Sequence, residues 1–241
     1  MYKRRLDSYI VEKGLAESRG KAQALIMAGE VTVNGQVVTK AGTNVTTDAE
    51  IAIAQPPPFV SRGGLKLDYA IEQFNLDVSG MVAADVGAST GGFTDCLLQR
   101  GASKVYAIDV GYGQLDYRLR KDERVVVMER VNARYQLDLP EEVDLAVIDV
   151  SFISVEKVIP SVVRLLKPGG WLIVLVKPQF EARREEVGKG GVIKDPALHA
   201  LVLGRFISWV VNQGYRIGGL ISSPVLGASG NREFLVLLRL T

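Results

Sequence analysis

Asp85-Val86-Gly87-Ala88-Ser89-Thr90-Gly91-Gly92-Phe93-Thr94 follows an apolar run, Met81–Val86, and opens a segment of helical spacing, Phe93–Gln99. Glycines let a chain turn sharply and let a ligand come close to the backbone. A strand, a glycine loop and a helix in that order predict the first crossover of a parallel sheet. The pattern repeats outward. Val105–Ile108 ends at Asp109, Val125–Met128 ends near Asn132, Leu145–Ile148 ends at Asp149, and Trp171–Val176 ends at Lys177. Helical segments lie between them, Val155–Leu166 among these. Short buried strands separated by helices predict an α/β fold with a doubly wound, mostly parallel sheet. The chain closes differently. A helix over Pro196–Asn212 is followed by strands Tyr215–Val225 and Glu233–Leu240 with no helix between them. Such a pair forms an antiparallel hairpin at the sheet edge, which brings the expected sheet to seven strands.

Composition bounds the rest. With 47% hydrophobic and 23% charged residues over 241 positions, a mostly disordered chain is excluded. A net charge of +2 means that an anionic partner is met by a local patch. The single cysteine, Cys96, and single histidine, His199, exclude a disulfide framework and Cys- or His-rich metal sites, so no metal is expected. No apolar run reaches the ~18 residues of a membrane span. The start, Met1-Tyr2-Lys3-Arg4-Arg5, lacks the apolar stretch of a signal peptide. A cytoplasmic setting without a membrane partner follows as the expectation, as a monomer or weak homodimer. Pro56-Pro57-Pro58 marks a stiff linker, read as residues 56–60, between a small domain at 1–55 and a large one at 61–241.

The small domain reads helix–helix–strands. Leu6, Tyr9 and Ile10 have helical spacing, and Ser18 caps a second helix carrying Ala22, Leu25 and Ile26. Val31, Val33, Asn34-Gly35 and Val37-Val38 signal a hairpin, and Ile51 and Ile53 a last strand. Residues 1–22 hold six Lys/Arg against three acids. On charge alone this is a solvated helical face or an anion-binding module.

The glycine loop departs from Gly-x-Gly-x-x-Gly, and no basic residue accompanies Gly91-Gly92 to hold phosphate. Asp85 stands two residues before Gly87, and Asp109 ends the next strand. A carboxylate suits ribose hydroxyls and repels a pyrophosphate, so S-adenosylmethionine fits better than a dinucleotide. Packing of a helix on the sheet is the alternative reading. Ligands of such sheets collect at the carboxyl ends of the strands. Asp149 and Lys177 end strands there, Glu233 begins the antiparallel strand at that edge, and Lys66 lies on the helix leading into the sheet. Topology thus brings four ionisable residues to one rim, although each alone reads equally as a surface charge.

Several motifs carry resemblances. The layout from about Ser61 onward resembles the class I S-adenosylmethionine-dependent methyltransferases. Lys66, Asp149, Lys177 and Glu233 resemble the Lys-Asp-Lys-Glu tetrad of FtsJ-type ribose 2′-O-methyltransferases. Ser61-Arg62-Gly63-Gly64-Leu65-Lys66-Leu67, Asp149-Val150-Ser151-Phe152-Ile153-Ser154, Lys177-Pro178-Gln179-Phe180-Glu181 and Asn231-Arg232-Glu233-Phe234 are similar to the haemolysin A–like (TlyA) family. Arg5-Leu6-Asp7, Ser18-Arg19-Gly20-Lys21-Ala22 and Val33-Asn34-Gly35 resemble the RNA-binding module first known from small-subunit ribosomal protein S-four. The resemblance implies a methyl transfer from S-adenosylmethionine to the 2′-hydroxyl of a cytidine in ribosomal RNA, with rRNA or ribosomal subunits as partners. It implies cofactor contacts at Asp85, Gly87, Ala88, Gly91, Gly92, Phe93, Asp109, Asn132 and Asp149. Within these, Gly87 and Gly91 line the methionine end, Asp109 holds the ribose and Asn132 sits by the adenine. Asp85 acts through water or organises the loop. RNA contacts fall on Arg4, Arg5, Arg19 and Lys21. The competing functions are an RNA-binding factor with the fold as scaffold, and a haemolysin.

The chemistry matches the residue types. A ribose hydroxyl is a poor nucleophile and must lose its proton as the new bond forms. Lys177 is expected to act as general base or as the cation that stabilises the alkoxide, with Lys66 beside it and Asp149 and Glu233 orienting both. The turn Asp149-Val150-Ser151-Phe152 lacks the prolines of the Asn/Asp-Pro-Pro-aromatic turn of base amino-group methylation. Cytosine carbon methylation needs a nucleophilic cysteine, and Cys96 reads as a core residue, as His199 reads as structural. Arg118, Arg120, Lys121 and Arg124 suggest a phosphate-binding face. Arg183, Arg184, Lys189 and Lys194 lie on a loop of near-zero net charge, a flap over RNA or a solvated loop.

Overall fold

A computed structural model of the chain describes residues 2–54, 57–135, 137–188 and 190–240. Pro56 of the expected linker and Lys189 of the basic loop lie outside the described residues. The chain divides into two compact units, Met1–Pro57 and Pro58–Thr241.

The first unit runs β1 (Lys3–Arg5), α1 (Leu6–Glu12), α2 (Arg19–Met27), β2 (Val31–Val33), β3 (Gln36–Val37), β4 (Asn44–Thr46) and β5 (Ile51–Ile53). Leu6, Tyr9, Ile10, Ala22, Ile26, Val31 and Val45 form its core. The Ser18 hydroxyl accepts from the Lys21 N–H and caps α2. Asn34 and Gly35 have φ of 51° and 78°. Two left-handed residues in sequence give the turn whose twist matches a tight hairpin. The basic start is not part of the first helix, as the spacing suggested. Lys3–Arg5 is a strand, paired antiparallel with Asn44–Thr46.

The second unit continues with α3 (Gly63–Gln73), β6 (Val82–Val86), α4 (Gly92–Gln99), β7 (Lys104–Ile108), α5 (Tyr117–Arg120), β8 (Val125–Met128) and β9 (Val143–Ile148). It ends with α6 (Ile159–Val163), β10 (Leu166–Val176), α7 (Pro178–Glu181), α8 (Pro196–Asn212), β11 (Arg216–Ser222) and β12 (Phe234–Arg239). The strand order is β11-β12-β10-β9-β6-β7-β8. β12 runs antiparallel to both neighbours, and the other pairs are parallel. Chain order reverses between β6 and β9, the place where such sheets open a ligand crevice.

Two expectations are corrected here. The helix expected over Val155–Leu166 is a short 3₁₀ turn, Val155–Lys157, then α6, and Leu166 already belongs to β10. Pro160 has no N–H and is tolerated only in a first turn, so the helix restarts there. Residues 58–60 are not linker. The Val60 N–H donates to Asp95 Oδ2 at 2.8 Å, Gln99 Nε2 donates to the Pro58 carbonyl at 2.8 Å, and Phe59 is buried.

The sheet separates two cores. Ala83, Val105, Ala107, Leu145, Val147, Ile173, Leu175, Leu235 and Leu237 pack with Leu67 and Ile71 of α3 and Leu97 of α4. The alternate residues Ala84, Val86, Ile108, Ile148, Val174 and Val236 pack with Ile159 of α6 and Phe206 of α8. Gly64 lets α3 pass the Phe59 ring, which a Cβ would meet at 2.2 Å. Gly64→Ala should therefore destabilise by roughly 1–3 kcal/mol in urea denaturation through overpacking. Gly204→Ala, inside α8 with nothing within 4 Å of the added carbon, should instead stabilise by roughly 0.5–1 kcal/mol.

Candidate active site

Side chains alternate faces along a strand. Asp85, Asp109, Asp149 and Lys177 continue the odd-numbered series of their strands, and Glu233 precedes Leu235 and Leu237 of the same series. Asp85, within β6, stands on the face covered by α3 and α4, and the same alternation carried one residue past the strand ends assigns the other four to that side. The β10–β12 register, Val176↔Phe234, sets Lys177 beside Glu233 when extended by one step. The β6–β9 register, Val86↔Ile148, likewise sets Gly87 beside Asp149. Lys66 comes from α3. Gly92 permits its approach, because a Cβ there would meet Ser61 Oγ at 2.2 Å and the Gly64 nitrogen at 2.9 Å.

The four tetrad residues form two ion pairs. Lys66 Nζ donates to Glu233 Oε2 at 2.6 Å, with both side chains at most 10% exposed. Lys177 Nζ lies 2.6 Å from Asp149 Oδ1 and 2.9 Å from Ser151 Oγ. Glu233 is also hemmed by Gly227, where a Cβ would meet its Oε1 at 2.3 Å. Glu181 accepts from the Ser154 hydroxyl at 2.6 Å and the Val155 N–H at 2.9 Å, tying the loop after β9 to α7. Burial pushes the Glu181 carboxyl up from its ordinary value. Between these ties stands Phe152, 91% exposed at φ 63°, with its ring 5.1 Å from that of Phe180. A left-handed bulky residue is strained, and such strain collects at functional sites.

A cavity of ≈ 510 Å³ reaches the Lys177–Asp149 pair at Asp149, within the size range of small-molecule sites. Gly87, Asp109, Asn132 and Asp149, all expected from sequence, line it. The carbonyl of Asp149 fills the space where a Cβ of Gly87 would be, at 2.4 Å, and Gly87 has φ 89°. Asp109 accepts from the N–H groups of Ser89 at 2.8 Å and Gly111 at 2.6 Å, which fixes the glycine loop against the loop after β7. Asn132 Oδ1 accepts from the Arg134 N–H at 3.0 Å. Ser89, Gln114, Ser151 and Phe152 also line the cavity and were missed. They sit on loops whose course only the fold sets.

The other expected cofactor residues are not in the lining. Ala88 and Phe93 are buried in the α3/α4 core. Gly91 is a glycine for packing: at φ 95°, its Cβ would meet Leu119 at 2.2 Å and Leu115 at 2.7 Å. Gly92 serves α3, as above. Asp85 lies wholly buried beneath the loop, its Oδ2 accepting from the Thr94 hydroxyl at 2.7 Å. Burial, joined by the Asp149 charge, outweighs that hydrogen bond and pushes the carboxyl from 3.8 up to about 7.

S-adenosylmethionine fits this donor set. The cavity is largely apolar at Val131, Val150 and Ile153, with a carboxylate at Asp109 and an amide at Asn132. Asp85 Oδ1 is buried with no partner among the described residues. Among the described residues, no group of three His, Cys, Asp or Glu is placed to hold a metal ion. Cys96 is buried and its thiol pushed up by burial. His199 Nε2 bonds the Ile193 carbonyl at 3.1 Å.

Residues 59–240 match the FtsJ-like methyltransferase family, and residues 4–51 match the S4 domain. The chain belongs to the TlyA family of FtsJ-like methyltransferases. It is 44% identical to the Mycobacterium tuberculosis 16S/23S rRNA (cytidine-2′-O)-methyltransferase TlyA, over 98% of this chain and 89% of that one. It is 50% identical to YqxC of Bacillus subtilis, described as a candidate rRNA methyltransferase, over 97% of this chain and 85% of YqxC. A solved structure from Streptococcus thermophilus, described as a candidate hemolysin, superposes with a TM-score of 0.76 at 42% identity, covering 100% of this chain and 90% of that one. As a TlyA-family member the chain is an enzyme, a methyltransferase with the fold of S-adenosylmethionine-dependent enzymes.

The S4 domain of this TlyA-family chain builds its basic surface on one acid. Asp7, fully buried, accepts from Arg5 Nη2 at 2.9 Å, Arg19 Nε at 3.0 Å and Gln23 Nε2 at 2.9 Å. The Arg5 hydrogen bond leads in holding its carboxyl far below the usual range. Arg5 and Arg19 thus converge and stay half exposed. Arg4 pairs instead with Glu12 at 3.1 Å, and Lys21 is exposed. The phosphate-binding face expected around α5 is corrected. Arg118, Arg120 and Arg124 are neutralised by Asp116, Glu129 and Asp122, and Lys121 lies over the Tyr117 ring. The loop after α7 is also held rather than free, because Glu186 takes both Arg205 nitrogens at 2.8 Å.

Lys66→Met should cost roughly 3–5 kcal/mol by urea denaturation, because the Glu233 carboxylate is then buried alone. Lys66→Met/Glu233→Leu should recover most of that stability. Asp85 supplies a pH signature. Its folded pKa lies above its unfolded one, so the folded state holds an extra proton between the two and its contribution falls as pH rises from about 4 to 7. Asp85→Asn should therefore lower the dependence of Tm on pH across that window and raise Tm relative to the parent above pH ~7.

Proposed function

We propose that this chain transfers the methyl group of S-adenosylmethionine to the ribose 2′-hydroxyl of a cytidine in ribosomal RNA, in the cytoplasm, with ribosomal subunits as its partners. The observation that carries the proposal is the pair of lysine–carboxylate contacts, Lys66–Glu233 and Lys177–Asp149, on the sheet edge where Asp149 also lines the cavity. Relatives whose names specify rRNA cytidine 2′-O-methylation support the substrate.

Gly87, Asp109, Asn132 and Asp149 would hold S-adenosylmethionine, and Asp85 would face its methionine end from below. Bound there, the group supplies an electrophilic methyl on a sulfonium. The chain's own task is to place and activate a hydroxyl. Lys177 is positioned to take the hydroxyl proton as the oxygen–methyl bond forms, or to stabilise the alkoxide as an ammonium once the proton has passed to water, and Asp149 balances its charge in either role. Lys66 adds positive charge to the rim, and Glu233 keeps that charge in place. Holding the hydroxyl ~3–3.5 Å from the methyl accounts for much of the acceleration. Phe152 and Phe180 offer an aromatic face on which the base of the target nucleotide can stack once out of its helix. On the S4 domain, Arg4, Arg5, Arg19 and Lys21 meet RNA phosphates, with Asp7 holding two of the guanidiniums.

Incubation with labelled S-adenosylmethionine and separate ribosomal subunits, followed by nuclease digestion and mass spectrometry, should place the label on a cytidine sugar. Label on a base, or none, would refute the reading. Lys177→Ala should lower kcat by at least ~100-fold while S-adenosylmethionine affinity measured by calorimetry stays within about twofold.

A further inference from the structure

A second cavity, ≈ 400 Å³ in volume, opens where β12 begins. Lys194, His199, Leu203, Arg232 and Phe234 are among its lining residues, and no carboxylate lines it. Phe234 belongs to the even-numbered series packed on α8, so the cavity lies across β12 from Glu233.

Its two cations are presented by fixed backbone. Arg232 stands between Asn231, 2% exposed, and Glu233, 3% exposed. Lys194 follows Ile193, whose N–H donates to Asn231 Oδ1 at 2.9 Å and whose carbonyl meets His199 Nε2 at 3.1 Å. Asn231 Nδ2 also donates to the Gly191 carbonyl at 2.9 Å. Asp195 caps α8, its Oδ1 accepting from the Ala197 N–H at 2.9 Å. Among the described residues, neither Lys194 nor Arg232 has a carboxylate partner, and both are exposed. Around α5, by contrast, each arginine is neutralised by a neighbouring acid. The floor is aromatic: His199 and Phe234 meet edge-on at 5.8 Å.

Two unpaired cations above an aromatic floor match the chemistry of a nucleotide, a phosphate joined to a flat ring. We infer that this cavity is a subsite for an RNA nucleotide neighbouring the methylated one, with its phosphate between Lys194 and Arg232 and its sugar or base against Phe234. The inference rests on the proposed function. Arg232 ties the two sites together, because it directly precedes Glu233. A phosphate gripped there adds to the affinity of the RNA strand for this edge of the sheet.

The test is the Lys194→Gln/Arg232→Gln double variant of the full chain, assayed for methylation of ribosomal subunits over a range of salt. KM for subunits should rise roughly tenfold at physiological salt, and the slope of log KM against log salt should shrink by about 1 for the lost phosphate contact. Saturating kcat, S-adenosylmethionine affinity and Tm should stay near the parent's values. Unchanged KM and salt slope, or a loss confined to kcat, would overturn the subsite. Free cytidine monophosphate shares the chemistry and is tested by calorimetry. Tight binding that the double variant loses would assign the cavity to a free nucleotide and overturn the RNA reading. If the parent chain methylates neither subunit, the proposed function fails. The salt slope of subunit binding in a filter assay still decides the subsite in that case.

Discussion

The two-residue period of a β-strand governs the charged rim of the sheet. Asp85, Asp109, Asp149, Lys177 and Glu233 come from separate strands, yet each stands in the odd-numbered series that faces α3 and α4. Parallel strands bring their carboxyl ends to one edge, and the antiparallel β12 contributes its beginning there. A shift of one residue in any of these registers would turn the side chain onto the α6/α8 face. The registers are held by the apolar residues between, buried on both faces of the sheet. The same alternation places Arg232 and Phe234 on the opposite side of β12 from Glu233.

Charge at this rim is tolerable because it is paired. Removing a lysine and a carboxylate from water costs several kcal/mol each unless both find partners. The contacts of Lys66 with Glu233 and of Lys177 with Asp149 meet that demand. Asp85 is the exception. Among the described residues it has one hydroxyl partner and one oxygen without a hydrogen bond, and burial raises its pKa accordingly. Such a residue is a stability cost that a ligand carrying a positive charge would relieve. The S4 domain solves the converse problem: a buried Asp7 is stabilised by two arginines, and those arginines are thereby aimed outward.

Glycines show where reading residues one at a time reaches its end. Gly87, Gly91 and Gly92 look alike in the sequence, as three parts of one cofactor loop. Only Gly87 faces the cavity, against the Asp149 carbonyl. Gly91 clears Leu115 and Leu119, and Gly92 clears Ser61 and Gly64. Each is required by a neighbour distant in the chain. The basic cluster at Arg118–Arg124 misleads for a related reason, because the acids that neutralise it include Glu129, carried in by the loop after β8.

The sequence alone determined the chain order of the seven strands of the large sheet, the strand ends that carry Asp109, Asp149 and Lys177, and the resemblance that joins an RNA-binding module to a methyltransferase. These follow from local apolar periodicity and from motif spacing, which act over a few residues. Tertiary structure decided the rest: that Lys66 pairs with Glu233 across 167 positions, that Phe152 stands exposed in a strained turn, that residues 58–60 belong to the second unit, and that the long helix breaks at Pro160. Those outcomes depend on which surfaces meet when the sheet is layered, and no short window of residues contains that information.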